Sequence, residues 1–449
     1  MSKQKIQLSD HFDYSRLLRF VLPCIGTMLF TSIYGIVDGL CVSNFVGKTA
    51  FAAVNLIMPL PMLLGTIGFM LGTGGSAIVG ITLGEGDQKK ADRYFTLFLL
   101  AALISVSVLA VLGIVFLRPI AVLLGAKGEL LDYAVRYGRI LMVSLPTFAL
   151  QNMFQSFFVT AEKPHLGFWF TVGAGCTNMV LDVLMVGIWG WGVEGAAIAT
   201  FISQLVGGVL PVFYFIDRSN SSRLHLCKTS FYSKVLRDAC INGSSELMTN
   251  LSMSLVNILY NFQLLRLAGE NGVAAYGVIM YAAFLFVAVF VGYAVGSAPI
   301  VSFHYGARNH AEVHNLYRKS LRLIAVVAVT LTLASMFIIP CVARIFVGYD
   351  AELLALTSRA FRLYALSFLI MGFNVYASSF FTALGDGVTS ALISFLRTLL
   401  FQLLALIFLP MVLGIEGVWL AVTAAEAGAL CVTVLMFVRK DKVFHYRKA

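Results

Sequence analysis

The chain has 449 residues, 59% of them hydrophobic and only 12% charged, with a mean hydropathy of +0.88 and a formal net charge of +10. A soluble domain carries about a quarter charged residues, so a chain this apolar cannot cover its own surface with polar groups, and a soluble globular protein is excluded. The 32 Lys and Arg sit mostly at the ends of apolar segments, which reads as topology-setting charge beside anionic lipid rather than a nucleic-acid surface.

In chain order, the first 15 residues are polar and no cleavage pattern follows them, so no removable signal peptide is expected. The apolar stretches are too long for the roughly 10-residue strands of a barrel and fit helices. Twelve spans are expected. In the first half they cover about 17–42, 52–80, 94–117, 131–160, 166–189 and 193–216. In the second half they cover about 238–265, 273–303, 316–339, 354–382, 388–412 and 416–438. The expectation is an all-α integral membrane protein with a six-helix lobe over 1–216, a linker over 217–237 and a second lobe over 238–449. With the N-terminus inside, 22 Lys and Arg fall on the cytoplasmic side and 9 on the other. The positive-inside rule therefore puts both termini in the cytoplasm and the chain in a plasma (bacterial inner) membrane. Trp189, Trp191 and Trp419 fall at expected outer ends, where an aromatic belt belongs. The seven cysteines (Cys24, Cys41, Cys176, Cys227, Cys240, Cys341, Cys431) form no CxxC pair and read as free thiols packed as small apolar residues.

The two halves repeat. At an offset of 222, Gly47, Ala52, Ala53, Ile57, Met58, Gly74 and Gly84 meet Gly269, Ala274, Ala275, Ile279, Met280, Gly296 and Gly306. At 223, Glu129, Arg136, Arg139 and Ser144 meet Glu352, Arg359, Arg362 and Ser367; Gly192, Glu194 and Gly195 meet Gly414, Glu416 and Gly417 at 222. An even number of spans per repeat sends both halves into the bilayer in the same direction. The expected result is a pseudo-twofold axis along the membrane normal, with a central cavity between lobes that can rock, which is transporter architecture.

Four acids fall inside spans: Asp38, Asp182, Glu246 and Glu426. A carboxylate in a span costs at least ~2.5 kcal/mol and marks an ion or substrate path. Asn178 and Asp182 stand at i and i+4, on one helix face. At ~1.5 Å per residue, Asp38 lies roughly 6–8 Å below the outer end of span 1, Asp182 about 10–12 Å below that of span 5, and Thr200 about 10 Å below that of span 6. Two carboxylates in one low-dielectric pocket do not both stay ionised cheaply, so a proton or a cation such as Na⁺ is expected there, with Asn178 and Thr200 supplying neutral oxygens.

Pro23, Val37-Asp38-Gly39, the Asn178/Asp182 pair and Thr200 in Gly195-Ala196-Ala197-Ile198-Ala199-Thr200 together resemble the multidrug and toxic compound extrusion (MATE) family, in its DinF-like prokaryotic branch. The repeated Gly-x-Glu-Gly span starts and the Gly385-Asp386-Gly387 turn add to the resemblance, which covers essentially the whole chain. It implies efflux of drugs or small organic compounds driven by inward H⁺ or Na⁺, with no cofactor, no enzymatic activity and no nucleic-acid partner, by a monomer in the bilayer. It also implies a cation site at Asp38, Asn178, Asp182 and Thr200, a bend of helix 1 at Pro23, and cavity-facing groups at Tyr34, Tyr137, Asn152 and Gln155. The sequence departs from the branch that has a cation site in the second lobe: span 10 has no acid between its ends. Tyr260, flanked by Asn257 and Asn261, stands at the repeat position of Asp38.

Glu246 follows Asn242-Gly243-Ser244-Ser245 and reads either as an acid favoured by a helix N-terminus or as an inner gate and contact for cationic substrate. Arg397 and Glu426 are expected to form a buried pair; an unpaired Arg397 facing the cavity points to anionic cargo. A flippase of lipid-linked sugars from the same superfamily is the alternative, and it expects a cationic cavity. His310 and His314 have i,i+4 spacing without a third ligand, so no metal site is expected there. The glycines of Gly72-Thr73-Gly74-Gly75-Ser76 lack the Gly-Lys-Ser/Thr ending of a phosphate loop and read as close helix packing.

Overall fold

The computed structural model describes residues 6–45, 48–348 and 350–446; Gly47 and the side chain of Cys41 lie outside the described residues. The described chain is helical, without strands. In the first lobe the helices are α1 (Tyr14–Phe45), α2 (Lys48–Ile57), α3 (Pro59–Gly84), α4 (Gln88–Leu123), α5 (Gly128–Thr160), α6 (Pro164–Asp182), α7 (Gly192–Gly208) and α8 (Leu210–Ile216). Residues 217–232 run without a helix, and α9 (Ser233–Asn242) starts inside the stretch expected to be linker. The second lobe continues with α10 (Ser244–Gly306), α11 (His310–Val347), α12 (Ala351–Ala365), α13 (Phe368–Ala383), α14 (Gly387–Phe395), α15 (Phe401–Leu413) and α16 (Ile415–Phe444).

Among the described residues nine helices are long and apolar enough to cross a membrane, and α12 with α13 makes a tenth span bent by 47°. The 63-residue α10 holds two of the expected spans, because Gly269 turns the chain at φ 62°, ψ −150°. A residue with a Cβ is strained there. The 33-residue α5 starts with Glu129, Asp132, Arg136 and Arg139, which lower its hydropathy without shortening it. With α10 divided and α5 included, the spans number twelve. Two are irregular: α6 runs into a π-helical segment, Val183–Ile188, and a second one, Leu396–Leu400, joins α14 to α15. α1 continues to Phe45, three residues beyond its expected end, so Asp38 lies about 10 Å from the helix end rather than 6–8 Å.

The pseudo-twofold axis is visible in the contact between α3 and the second half of α10. A Cβ on Gly80 would meet Ser302, one on Gly84 the carbonyl of Phe303, and one on Gly306 the carbonyl of Ile81. Adding 222 to 80, 81 and 84 gives 302, 303 and 306, so the contact maps onto itself when the lobes are exchanged. The glycines let two backbones touch, as small residues do between membrane helices. Gly74, in the glycine-rich stretch of α3, likewise lies against Gly243. The charges matched in the repeat are partners: Arg136 meets Glu194 at 3.4 Å, and their counterparts Arg359 and Glu416 pair in the second lobe.

The first and last described residues lie at the end of the molecule where the lobes touch. Glu162, after α5, accepts from the Leu8 amide at 2.8 Å, and Glu312 on α11 accepts from the Phe12 amide at 2.9 Å. Leu8 and Phe12 are fully buried, so residues 6–13 strap one lobe to the other. At the opposite chain end, the Tyr446 carbonyl accepts from His314 at 2.8 Å, which gives that histidine a structural partner. Two sequence expectations change. Trp419 is 2% exposed and packs in the core, while Trp189 and Trp191 stay exposed as belt residues do. The six described cysteines are free, but only Cys24 is buried; Cys176, Cys341 and Cys431 sit on the outer surface of the bundle, where an apolar thiol is compatible with lipid.

Candidate coupling site and central cavity

Two polar places stand out, one inside the first lobe and one between the lobes. The first forms where α1 packs on α6. Gly175 has no side chain, and the rings of Phe30 and Tyr34 fill the place where its Cβ would be. That close approach carries Asp38, one turn beyond Tyr34, to Asn178 and Asp182, one and two turns beyond Gly175. Asp38 and Asp182 are direct side-chain neighbours. Asp182 is fully buried and Asn178 is 2% exposed. Asp38 Oδ1, both carboxylate oxygens of Asp182 and the amide nitrogen of Asn178 are buried without a protein hydrogen-bond partner. Tyr137 of α5 is buried within electrostatic reach of both acids, and its hydroxyl is 3.9 Å from the sulfur of Met58.

Asp182 sits at the junction of α-helix and π-helix, where a widened turn changes side-chain direction and marks functional positions. Thr200 is half-buried on α7, and among the described residues no hydrogen bond ties it to the acids. Three unpartnered carboxylate oxygens beside an amide oxygen can share one proton or coordinate one small monovalent cation. Pro23 lies inside a continuous α1, and Thr27 Oγ1 donates to its carbonyl at 2.9 Å.

The second place is a cavity of about 460 Å³ between the lobes. The first lobe contributes Met28, Thr31 and Ser32 of α1, Phe69, Thr73 and Ser76 of α3 and Ser156 of α5; most of the wall comes from the second lobe. Glu246 and Arg397 are on that wall, whereas Asp38, Tyr34, Tyr137, Asn152 and the Asn178/Asp182 pair are not. Gln155 lines a separate crevice of about 10 Å³ beside Pro164. Tyr34, Tyr137 and Asn152 point into lobe packing because the helices rotate those faces away from the axis.

The remaining wall was only partly legible in sequence. Tyr260 stacks on Tyr276, with ring centroids 4.7 Å apart and 11° between planes, and the Tyr276 hydroxyl donates to Asn257 Oδ1 at 2.7 Å. Where the first lobe has a carboxylate, its repeat position in the second lobe has an aromatic surface. Glu426 is 1% exposed and holds Arg397 Nη1 at 3.3 Å, so the pair forms and still borders the cavity. Glu426 Oε2 accepts from Asn374 at 2.7 Å, whose Oδ1 accepts from Thr433 at 2.8 Å. Sequence reading missed Asn374 and Thr433; the signal was one amide inside the apolar run Gly372-Phe373-Asn374-Val375.

The sequence profile of the MatE family matches residues 23–184 and 247–407, one block in each lobe. The chain belongs to the MatE family. The multidrug export protein MepA of Staphylococcus saprophyticus is 20% identical over 434 residues, covering 96% of this chain and 95% of that protein. Among solved structures, MATE in complex with MaL6 superposes with a TM-score of 0.92 at 23% identity, covering 99% of this chain and 100% of that one. An outward-facing multidrug resistance MATE transporter of the MOP superfamily also reaches 0.92, at 23% identity and 99% coverage of both. This MatE chain is accordingly a multi-pass membrane transporter. Both matched blocks cross the candidate places: the first contains Asp38, Asn178 and Asp182, the second Arg397.

Proposed function

We propose that this MatE transporter is a secondary antiporter that exports small organic compounds in exchange for H⁺ or Na⁺. The observation that carries the reading is the Asp38/Asp182 pair, buried in the first lobe with unpartnered oxygens and separated from the cavity. An ion entering there neutralises charge that the lobe otherwise holds at high cost. α1 is the link, since Thr31 and Ser32 line the cavity while Asp38, about two turns further along, belongs to the pair. With both termini cytoplasmic, as the charge distribution favours, the sealed end of the lobe interface is the inner one and this arrangement faces outward. Ion binding then favours the opposite closure, and substrate and ion bind at different times. The flippase reading needs a cationic cavity, but this wall carries two carboxylates against one paired guanidinium.

The test is efflux of a cationic dye from proteoliposomes under a pH gradient alone, then a Na⁺ gradient alone. The proposal expects one gradient to drive efflux and its collapse by ionophore to stop it. Dye movement indifferent to both gradients contradicts antiport.

A further inference from the structure

The outer face of α11 carries a basic groove that has no part in the cavity or the acid pair. Arg318 and Arg322 stand one turn apart, and with His314, Tyr317 and Leu321 they line an open groove of about 450 Å³. No acid lines it among the described residues. Both arginines are exposed. Among the described residues Arg318 makes no ion pair or hydrogen bond, and Arg322 reaches the Tyr14 hydroxyl at 3.5 Å. Lys319, between them, is engaged elsewhere, since its ammonium donates to the Phe12 carbonyl at 2.7 Å. Further into the span the same helix face turns apolar. Val326, Val329, Leu333 and Phe337 follow Arg322 at intervals of 4, 3, 4 and 4 residues, and all four are exposed. From Arg322 to Phe337 that face runs about 22 Å along the helix axis, longer than half of the ~30 Å hydrocarbon core of a bilayer.

We propose that this groove binds the headgroup of an anionic phospholipid, with its phosphate between Arg318 and Arg322 and its acyl chains along the 326–337 face. Side chains four apart on a helix are neighbours, so two guanidinium forks converge on one phosphate, and each can donate to it in parallel pairs. The apolar face beneath is long enough to carry the chains across one leaflet. A basic side chain near a membrane surface attracts anionic lipid by about 1 kcal/mol without choosing a place for it; a converging pair above an acyl track does choose. Lys89 and Arg93 at the start of α4 show the difference. They have the same spacing and are exposed, yet the residues that follow, Tyr94, Phe95, Thr96, Leu97, Phe98 and Leu99, are all buried, so no acyl track begins beneath them. Tyr14, the first residue of α1, borders the groove through Arg322, so a bound headgroup abuts the helix that carries Asp38. The inner leaflet is the source if both termini are cytoplasmic, as proposed above, but the binding itself rests neither on that orientation nor on antiport.

The probe is phosphatidylglycerol in competition with an equal amount of phosphatidylcholine, whose phosphate is neutralised by its own choline. Both are offered to the purified full-length chain in detergent, and retained lipid is counted by native mass spectrometry. The wild type is expected to retain phosphatidylglycerol in preference to phosphatidylcholine. The double variant Arg318→Gln with Arg322→Gln is expected to lower the ratio of the two retained lipids roughly tenfold, the effect of losing charged hydrogen bonds. Lys89→Gln with Arg93→Gln removes the same charge at the same spacing and is expected to stay within about twofold of the wild type, as surface substitutions do. Equal losses in the two double variants reduce the groove to general surface charge and overturn the site. So does a wild type that retains both lipids alike, a result that needs no variant to fold. Glycerol 3-phosphate, a headgroup phosphate without acyl chains, is expected not to displace the lipid at equal concentration. Displacement by it makes the groove a site for a soluble phosphate and overturns the lipid assignment.

Discussion

At the scale of residues, the acids that sequence flagged have different duties. Glu426 is 1% exposed and bound by both Arg397 and Asn374, whereas Glu194 is part of an open ion pair with Arg136 at the bundle end. Removing one partner of a buried pair leaves a charge without compensation and costs about 3–5 kcal/mol. An exposed pair is worth about 0–1 kcal/mol. Glu426→Ala is therefore expected to lower the thermal unfolding midpoint of the detergent-solubilised protein clearly, and Arg136→Ala hardly at all. Equal shifts would remove the structural duty assigned to Glu426. Asp38 and Asp182 differ from both, since Asp38 Oδ1 and both oxygens of Asp182 are buried with no donor from another side chain.

Among elements, α3 and α10 decide how the lobes meet, because Gly80, Gly84 and Gly306 let backbones touch on the axis. Any side chain at Gly306 runs into the Ile81 backbone. Gly306→Leu is expected to hold the lobes apart at the terminal end and to raise maleimide labelling of a cysteine placed at the buried Ser302. Unchanged labelling contradicts this interface as the seal. The spans, the repeat and the Asn178/Asp182 face were legible because hydropathy, spacing and helix geometry are local properties of the sequence. The matched Arg136/Glu194 and Arg359/Glu416 positions were visible as a pattern, but only packing shows that they bond each other. Helix rotation was not legible either: Tyr137 and Asn152 lie in spans that border the axis, yet face inside the lobe. The π-helical segments at Asp182 and Arg397 carry no local sequence signal of their own, since they arise from how a whole span settles against its neighbours.

For the whole molecule, the division is between an N-terminal lobe with an ion-competent acid pair and a cavity wall built mostly by the C-terminal lobe. The repeat makes the lobes alike in scaffold, and divergence is concentrated where chemistry is done. Asp38 has Tyr260 as its counterpart, and the acid pair of one lobe is replaced in the other by an aromatic stack and the Arg397/Glu426 pair. α1 joins both functions, and the strap of residues 6–13 ties its start to both lobes. On the antiport we propose, rocking between two closures requires the Glu162 and Glu312 contacts of the strap to adjust as the sealed end opens.

The central claim is that coupling belongs to the acid pair and cargo binding to the cavity. Asp38→Asn, reconstituted in vesicles, tests it most directly when gradient-driven efflux and dye affinity are measured on the same preparation. The account predicts that ion-driven efflux is lost while the dye still binds with an affinity within a few-fold of the wild type. Full gradient-driven efflux by Asp38→Asn would contradict it.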